Sequence, residues 1–434
     1  MDRHEEEEAA RARLPRARGL DRRQFMLRSL GAGLALTSLG PILEACGSGS
    51  GAGGAASAAI NPFPLGSPQN PVKWPIPSSN QPIASGLTPE SNTTLKLYNY
   101  PDYIDKKTAV DGFKQQFAQY NVDVQISTFN DINEALAKLR TGQVDFDIFF
   151  PSYDSIGKLV TGGFLRPLNH SYIPNISQVW PELTNPFYDQ EWRYTTPYTI
   201  YTTGIGWSAA RVKEDISARA NPYEVFWDPQ YSGKLAVLDD YRETIGMTLM
   251  RNQLYNLNTS DPAQLAKVST QLSDLIGKTN PKVNITDYTD LPAAKVDITH
   301  AWSGDMISAL GYLPQGADGS DLRYWFPKDN KGPVNGDIMV VLKAGKNPVL
   351  SHLFMNYMLD FNNAVANMQN QTGYQTPHTQ MTPDVLAQKG IVPANLASTL
   401  VVPAMFTTGL RELELSPTVD TAWHQVWQKF KAGA

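Results

Sequence analysis

Apolar positions recur along this chain in two rhythms from about residue 93 onward. Leu95 and Leu97 alternate with Lys96 and Tyr98, the period of a half-buried strand running to Tyr100. Val110, Phe113, Phe117 and Tyr120 fall at helical spacing over 105–120. Val122, Val124 and Ile126 return to alternation. Ile132, Leu136 and Leu139 then predict a helix over 130–140, with Asn130 or Asp131 as its N-cap. The run Ile148, Phe149, Phe150 after Asp147 reads as a short strand buried on both faces. The same reasoning predicts strands at 204–207, 234–238, 298–302 and 338–342, and helices at 244–255, 261–275, 304–313, 347–360, 362–370 and 419–431. Alternating strands and helices predict an α/β fold with a parallel sheet. More elements than one small sheet needs predict two lobes.

Before residue 93 the rhythm stops. Residues 61–92 hold eight prolines and only Lys73 and Glu90 as charges, after a Gly/Ser-rich stretch at 47–54. This composition predicts a tether over 46–92, flexible first and stiffer later. Phe63 and Trp74 are its two candidates for packing on the domain. Further upstream, residues 27–43 form an apolar block diluted by Ser29, Gly31, Gly33, Thr37 and Ser38. It is short and weakly apolar for a membrane span and suits the core of an export signal. Arg22 and Arg23 precede it, and Leu43-Glu44-Ala45-Cys46 follows. This order resembles a Tat-type export signal ending in a bacterial lipobox. The resemblance implies that residues 1–45 are a removed signal peptide, that Cys46 carries lipid, and that the rest works outside the cytoplasmic membrane. Asp21, Met26 and Glu44 depart from the commonest residues at their places, so Tat and general secretion both stay open as routes.

Charge and cysteine usage narrow the function classes. The 434-residue chain has a formal net charge of −5, and the arginine-rich leader is slightly positive, so the mature chain is more acidic still. That balance argues against a nucleic-acid partner. Cys46 is the single cysteine, so no disulfide is available. No later run of eighteen apolar residues follows that would span a membrane. No Gly-x-Ser-x-Gly, His-Glu-x-x-His or Walker sequence points to an enzyme. Paired carboxylates such as Asp145 and Asp147 invite a hydrolase reading, but alternation puts these two on one side of a strand at its solvated start.

Several segments, in order, resemble the spermidine/putrescine-binding family of ABC-importer solute-binding proteins. They are Tyr98 to Ile104, Asp145 to Ser152, Thr196 to Tyr198 with Gly204 to Trp207, Leu238 to Glu243, Ala301 to Gly304, Asn335 to Asp337, Gly373 to Pro377, and the terminal Trp427 to Gly433. The resemblance implies a type II periplasmic-binding-protein-like α/β fold. Lobe 1 would hold 93–205 plus 337–385, lobe 2 would hold 206–336 plus 386–434, and a hinge would join them with the ligand cleft between. It further implies a polyamine ligand, the transmembrane subunits of an ABC permease as partner, a lipid-anchored monomer on the outer face of the cell membrane, and neither cofactor, metal nor enzymatic activity.

A polyamine is a chain of ammonium groups joined by methylenes, so its site needs spaced carboxylates and aromatic walls. The candidate carboxylates are Asp240, Glu243 and Asp337. Asp240 reads equally as a helix cap, Glu243 as a partner of Arg242 or solvent, and Asp337 as a turn aspartate. Asp239 is the neighbour through which a one-residue slip would exchange these roles. The aromatic candidates are Tyr100, Tyr103, Trp302 and Tyr374. Ser152 is a candidate amine ligand or an ordinary N-cap. Three positions depart from the family pattern. Asn335 stands where a cleft tryptophan is common, Pro101 where a small polar residue is common, and Asp154 in place of an aromatic. A receptor for another small cationic or polar solute is the alternative within the same fold.

Overall fold

The computed structural model describes residues 64–433. The leader with Arg22 and Arg23, Cys46, the Gly-rich stretch and Phe63 lie outside the described residues. Nine strands form one mixed sheet: β1 Thr93–Asn99, β2 Val122–Thr128, β3 Ile148–Phe149, β4 Thr195–Ser208, β5 Leu235–Leu238, β6 Lys282–Asn284, β7 Ile298–Trp302, β8 Leu322–Trp325 and β9 Val334–Val341. Their order is β2-β1-β3-β9-β4-β7-β5-β6, and β8 also pairs with β4.

The sheet is two half-sheets that meet on β4. Thr195 to Thr202 of β4 pair with β9, next to β3, β1 and β2. Thr203 to Trp207 pair with β7, and Ile205 to Ser208 with β8. The predicted parallel arrangement holds within each outer half, where β1 joins β2 and β3, and β5 joins β6 and β7. It fails at the centre, where β4 runs antiparallel to β7, β8 and β9. An exchange of chain between halves there takes a long strand instead of a βαβ crossover. All fourteen residues of β4 are buried. A Cβ on Gly204 would overlap the Trp325 carbonyl of β8, and one on Gly206 would overlap Met306. Glycine at these two positions lets neighbouring elements close onto the shared strand.

Two apolar cores result. Leu95, Leu97, Phe149, Val340 and Phe354 belong to one, and Ile205, Val237, Leu272, Trp423 and Phe430 to the other. Helix α1 Ile132–Arg140 is capped by Asp131, whose side chain accepts from Asn133 N and Glu134 N, so Asp131 and not Asn130 is the cap. Asp240 caps α2 Tyr241–Arg251 and Asp261 caps α3 Pro262–Thr279 in the same way. Helix α4 Ser303–Ser308 follows β7 directly, α5 Pro348–Met358 packs against β9, and α6 Pro417–Lys431 packs against α2 and α3. Strands β6 and β8, of three and four residues, lay below what alternation detects.

The Pro-rich segment departs from the expected tether over 64–92. Trp74 is 2% exposed and its Nε1 donates to the Tyr188 carbonyl (2.7 Å). Arg193 Nη1 donates to the Trp74 carbonyl (2.6 Å), and Val72 exchanges backbone hydrogen bonds with Phe187 and Gln190. Glu90 accepts from Val349 N (3.0 Å) and Leu350 N (2.9 Å), closing the N-terminus of α5. Prolines reduce the conformational freedom lost on ordering such a segment, so a few apolar anchors suffice to dock it. Replacing Trp74 by alanine is therefore expected to lower the unfolding free energy by ~3–5 kcal/mol, the usual cost of deleting a buried tryptophan. Urea titration checks this, and a loss within error of zero would mean that the segment is a free tether.

Candidate functional site

At the junction of the two halves lies a cavity of about 400 Å³, a volume typical of small-molecule sites. Tyr100, Tyr103, Ser152, Asp154, Asp240, Glu243, Trp302, Asp337 and Tyr374 all line it. The residues come from both halves and from segments up to 274 positions apart, and the fold brings them to one surface.

Asp337 sits mid-strand on β9, opposite Thr199 of β4. Tyr103 OH donates to its Oδ2 (2.7 Å) and Ser152 Oγ to its Oδ1 (2.6 Å). Tyr103 OH also meets Thr199 Oγ1 at 2.5 Å. Asp337 is thus held by cross-chain donors and is no turn aspartate bonded to its own backbone. Ser152 makes no side-chain cap bond, and its hydroxyl is committed to orienting Asp337. Burial pushes the Asp337 carboxyl up to about 6, and the Ser152 and Tyr103 hydrogen bonds partly oppose that shift.

Asp240 does cap its helix, accepting from Arg242 N (2.8 Å) and Glu243 N (3.1 Å) through Oδ1, and it also faces the cavity. Burial raises it to about 6. Glu243 makes no pair with Arg242. Its Oε1 accepts from Trp302 Nε1 (2.7 Å) and Thr203 Oγ1 (2.9 Å), and its buried Oε2 has no hydrogen-bond partner. Arg242 turns away toward the carbonyls of Leu413 and Leu257 and toward Asn258 Oδ1, with its guanidinium 5.1 Å from the Trp423 ring centre. Its Nη1 stands 3.6 Å from Asp154. Asp239 also lines the cavity but pairs with Lys431 at 2.7 Å, whereas Asp240 has no salt-bridge partner among the described residues and caps the helix.

Aromatic rings wall the space at steep angles. Tyr374 lies edge-on to Tyr103 (4.9 Å, 84°) and Tyr201 (5.7 Å, 86°), and Tyr201 in turn to Trp302 (6.3 Å, 71°). A side chain on Gly304 would overlap the Tyr374 ring, so glycine there lets the ring cross onto α4. Tyr374 OH donates to Asp305 Oδ1 (2.8 Å), and Tyr288 OH to Asp102 Oδ2 (3.2 Å).

Among the lining residues that escaped sequence reasoning are Asp305, Glu412 and Tyr201. Glu412 is 8% exposed, its Oε1 has no hydrogen-bond partner, and burial and then the Glu243 charge push its carboxyl well above the usual range. Alternation in Arg411-Glu412-Leu413-Glu414 was the one available signal. At the departures, Asn335 accepts from Tyr153 OH (2.8 Å) and Glu412 N (3.2 Å) through Oδ1, which leaves its buried Nδ2 without a partner. Asp154 adds a carboxyl that burial raises.

Other candidates lie elsewhere. Asp147 is structural, accepting from Lys96 N, Asn347 N and Asn347 Nδ2, while Asp145 pairs with Lys96 and Lys346. The buried histidines His300 and His378, whose residue type could serve a metal-chelate ligand, do not line the cavity, and burial depresses His300 to about 3. Among the described residues no cluster of three or more His, Cys, Asp or Glu side chains is arranged to hold a metal ion.

The cavity thus carries nine carboxylic side chains against two cationic ones, Arg242 and Lys158. Lys158 is itself drawn to Asp420 (3.0 Å). The consequence for stability has a definite sign. Asp240 and Asp337 titrate near 6 when folded and near 4 when unfolded. Between those values the folded state holds more protons, so stability falls as pH rises. Ligand-free protein is expected to lose about 2 kcal/mol per group between pH 4.5 and 7, from a shift of about two units each. Urea unfolding across that range checks it, and stability that is flat or rising would contradict it.

Comparison with known proteins agrees with this arrangement. The family model for bacterial extracellular solute-binding proteins matches residues 108–394. The putrescine/cadaverine-binding protein of Pseudomonas aeruginosa is 26% identical over 352 residues, covering 78% of this chain and 93% of the relative. The putrescine-binding periplasmic protein of Escherichia coli is 25% identical, covering 81% and 95%. Among solved structures, a spermidine/putrescine ABC transporter substrate-binding protein of Streptococcus pneumoniae superposes with a TM-score of 0.62 at 25% identity, over 79% of this chain and 99% of that one. With the family model spanning more than half of its length, the chain belongs to the bacterial extracellular solute-binding proteins and is a binding protein, not an enzyme.

Proposed function

We propose that this protein captures a polyamine of the putrescine/spermidine class outside the cytoplasmic membrane and delivers it to the permease of an ABC importer. The observation that carries this reading is the acidic excess of an aromatic-walled cavity, in which carboxyl oxygens of Glu243 and Glu412 are buried without partners. A carboxylate in that position is poorly solvated, and an ammonium group restores what water no longer supplies. Aromatic faces suit the methylene stretches and add cation–π attraction of ~0.5–2 kcal/mol per contact. Relatives named for putrescine and spermidine support the same ligand class.

In this reading, lobe 1 (93–205 plus 337–385) contributes Tyr100, Tyr103, Ser152, Asp154, Asp337 and Tyr374, and lobe 2 (206–336 plus 386–434) contributes Asp240, Glu243 and Trp302. A ligand that contacts both favours closure about β4 and β9 by the difference in its affinity for the closed and open states. Asn335 in place of a ring, and Asp154 as an added carboxyl, shift the preference toward more charge and less stacking. The protein is a monomer held by a lipid on Cys46, after export directed by Arg22 and Arg23.

Two outcomes test this. Asp337→Asn removes one buried charge partner and is expected to weaken putrescine binding by ~2–5 kcal/mol, about thirtyfold or more in Kd. Isothermal titration of the mature domain measures it, and unchanged affinity would remove Asp337 from the site. Cys46→Ala is expected to move the protein from the membrane fraction to the soluble extracytoplasmic fraction and to abolish labelling by radioactive palmitate. Persistent labelling would place the lipid elsewhere.

A further inference from the structure

Behind one wall of the cavity lies a second acid that plays no part in the reading above. Asp287 opens the short helix Asp287–Asp290 and is 2% exposed, and it does not line the cavity. Asp305, on α4, is 6% exposed and does line it. Apart from its own backbone N–H, no protein donor acts on the Asp287 carboxyl, and its side-chain neighbour in hydrogen-bonding contact is the carboxyl of Asp305. Asp290, at the other end of the short helix, is paired with Lys295 (2.6 Å) and also accepts from Asn284 Nδ2 (3.0 Å). Tyr288, Tyr312, Tyr324 and Tyr374 are the other titratable groups that face the pair.

Two buried carboxyls in hydrogen-bonding contact require a proton between them, since two adjacent anions repel strongly at low dielectric. The surroundings decide which of them keeps it. Asp305 accepts from Tyr374 OH (2.8 Å), a contact that favours its anion. Asp287 has no side-chain donor of this kind, only its own backbone N–H, and is the more deeply buried. Burial, followed by the Asp305 charge, pushes Asp287 upward, in agreement with that assignment.

We infer that Asp287 is a positioning residue: it stays a neutral carboxylic acid whose O–H, together with Tyr374 O–H, aims the Asp305 carboxylate into the cavity as the partner of one ligand ammonium group. Two acids then present a single negative charge at this end of the cleft, matched to a single amine. The inference depends on the polyamine reading only for the identity of the ligand.

The test uses the mature domain and two variants, Asp287→Asn and Asp287→Ala. Infrared spectra of the ligand-free protein at pH 7 should contain the carbonyl stretch of a protonated carboxylic acid that is missing from Asp287→Asn. Identical spectra would overturn the inference, whatever the ligand. The asparagine amide still donates to Asp305, so titration with spermidine and putrescine should find Asp287→Asn within about threefold of wild type and Asp287→Ala weaker by about tenfold or more. Wild-type affinity in Asp287→Ala would also overturn it. If Asp287→Ala does not fold, the infrared difference and the retained affinity of Asp287→Asn decide. If no variant binds either amine while the infrared band still differs, the polyamine reading fails and the neutral acid stands.

Discussion

Everything in this molecule hangs on one strand that belongs to two half-sheets. A strand of fourteen residues, buried throughout, pairs with β9 over its first part and with β7 and β8 over its second. Side chains two apart on a strand share a face. On β4 that face carries Thr199, Tyr201 and Thr203. Thr199 supports Tyr103, Tyr201 is a wall of the cavity, and Thr203 holds Glu243. The strand that joins the halves therefore also builds the floor between them, and a shift of either half moves a wall of the cavity.

The electrostatics of that floor run against stability. Carboxyl groups are gathered where water is scarce, and burial is the first cause of every upward shift among them. Arg242 sits within reach of these acids, yet its hydrogen bonds go to carbonyls and to Asn258. Burying such acids is costly whether they stay charged or take up protons, and a cation that pairs with them relieves that cost.

Sequence and structure part company at identifiable places. The helix of α2 and the alternative roles of Asp240 were both readable, because capping is a local interaction three residues long. Whether Asp240 also faces a cavity was not, since that depends on β9 arriving from nearly a hundred residues away. Asp305 and Glu412 were passed over for the same reason. Their neighbours in the chain are ordinary, and their significance comes from Tyr374, Glu243 and Asp287, which are distant in sequence. The Pro-rich segment misled in the other direction. Its composition is that of a tether, while Trp74, Val72 and Glu90 dock it.

By itself, the sequence determined the alternation of strands and helices, the shortage of cationic side chains, and the ordered segments through which the cleft residues could be named. These are properties of period and composition, and they survive any arrangement of the elements. Only the tertiary structure decided that the central strands are antiparallel, that Ser152 orients Asp337 instead of capping a helix, that Glu243 pairs with Trp302 instead of Arg242, and that Asp287 faces Asp305. Each of these is a contact between distant segments. The energy of a hydrogen bond or a buried charge depends on what burial has excluded around it, and local sequence does not contain that information.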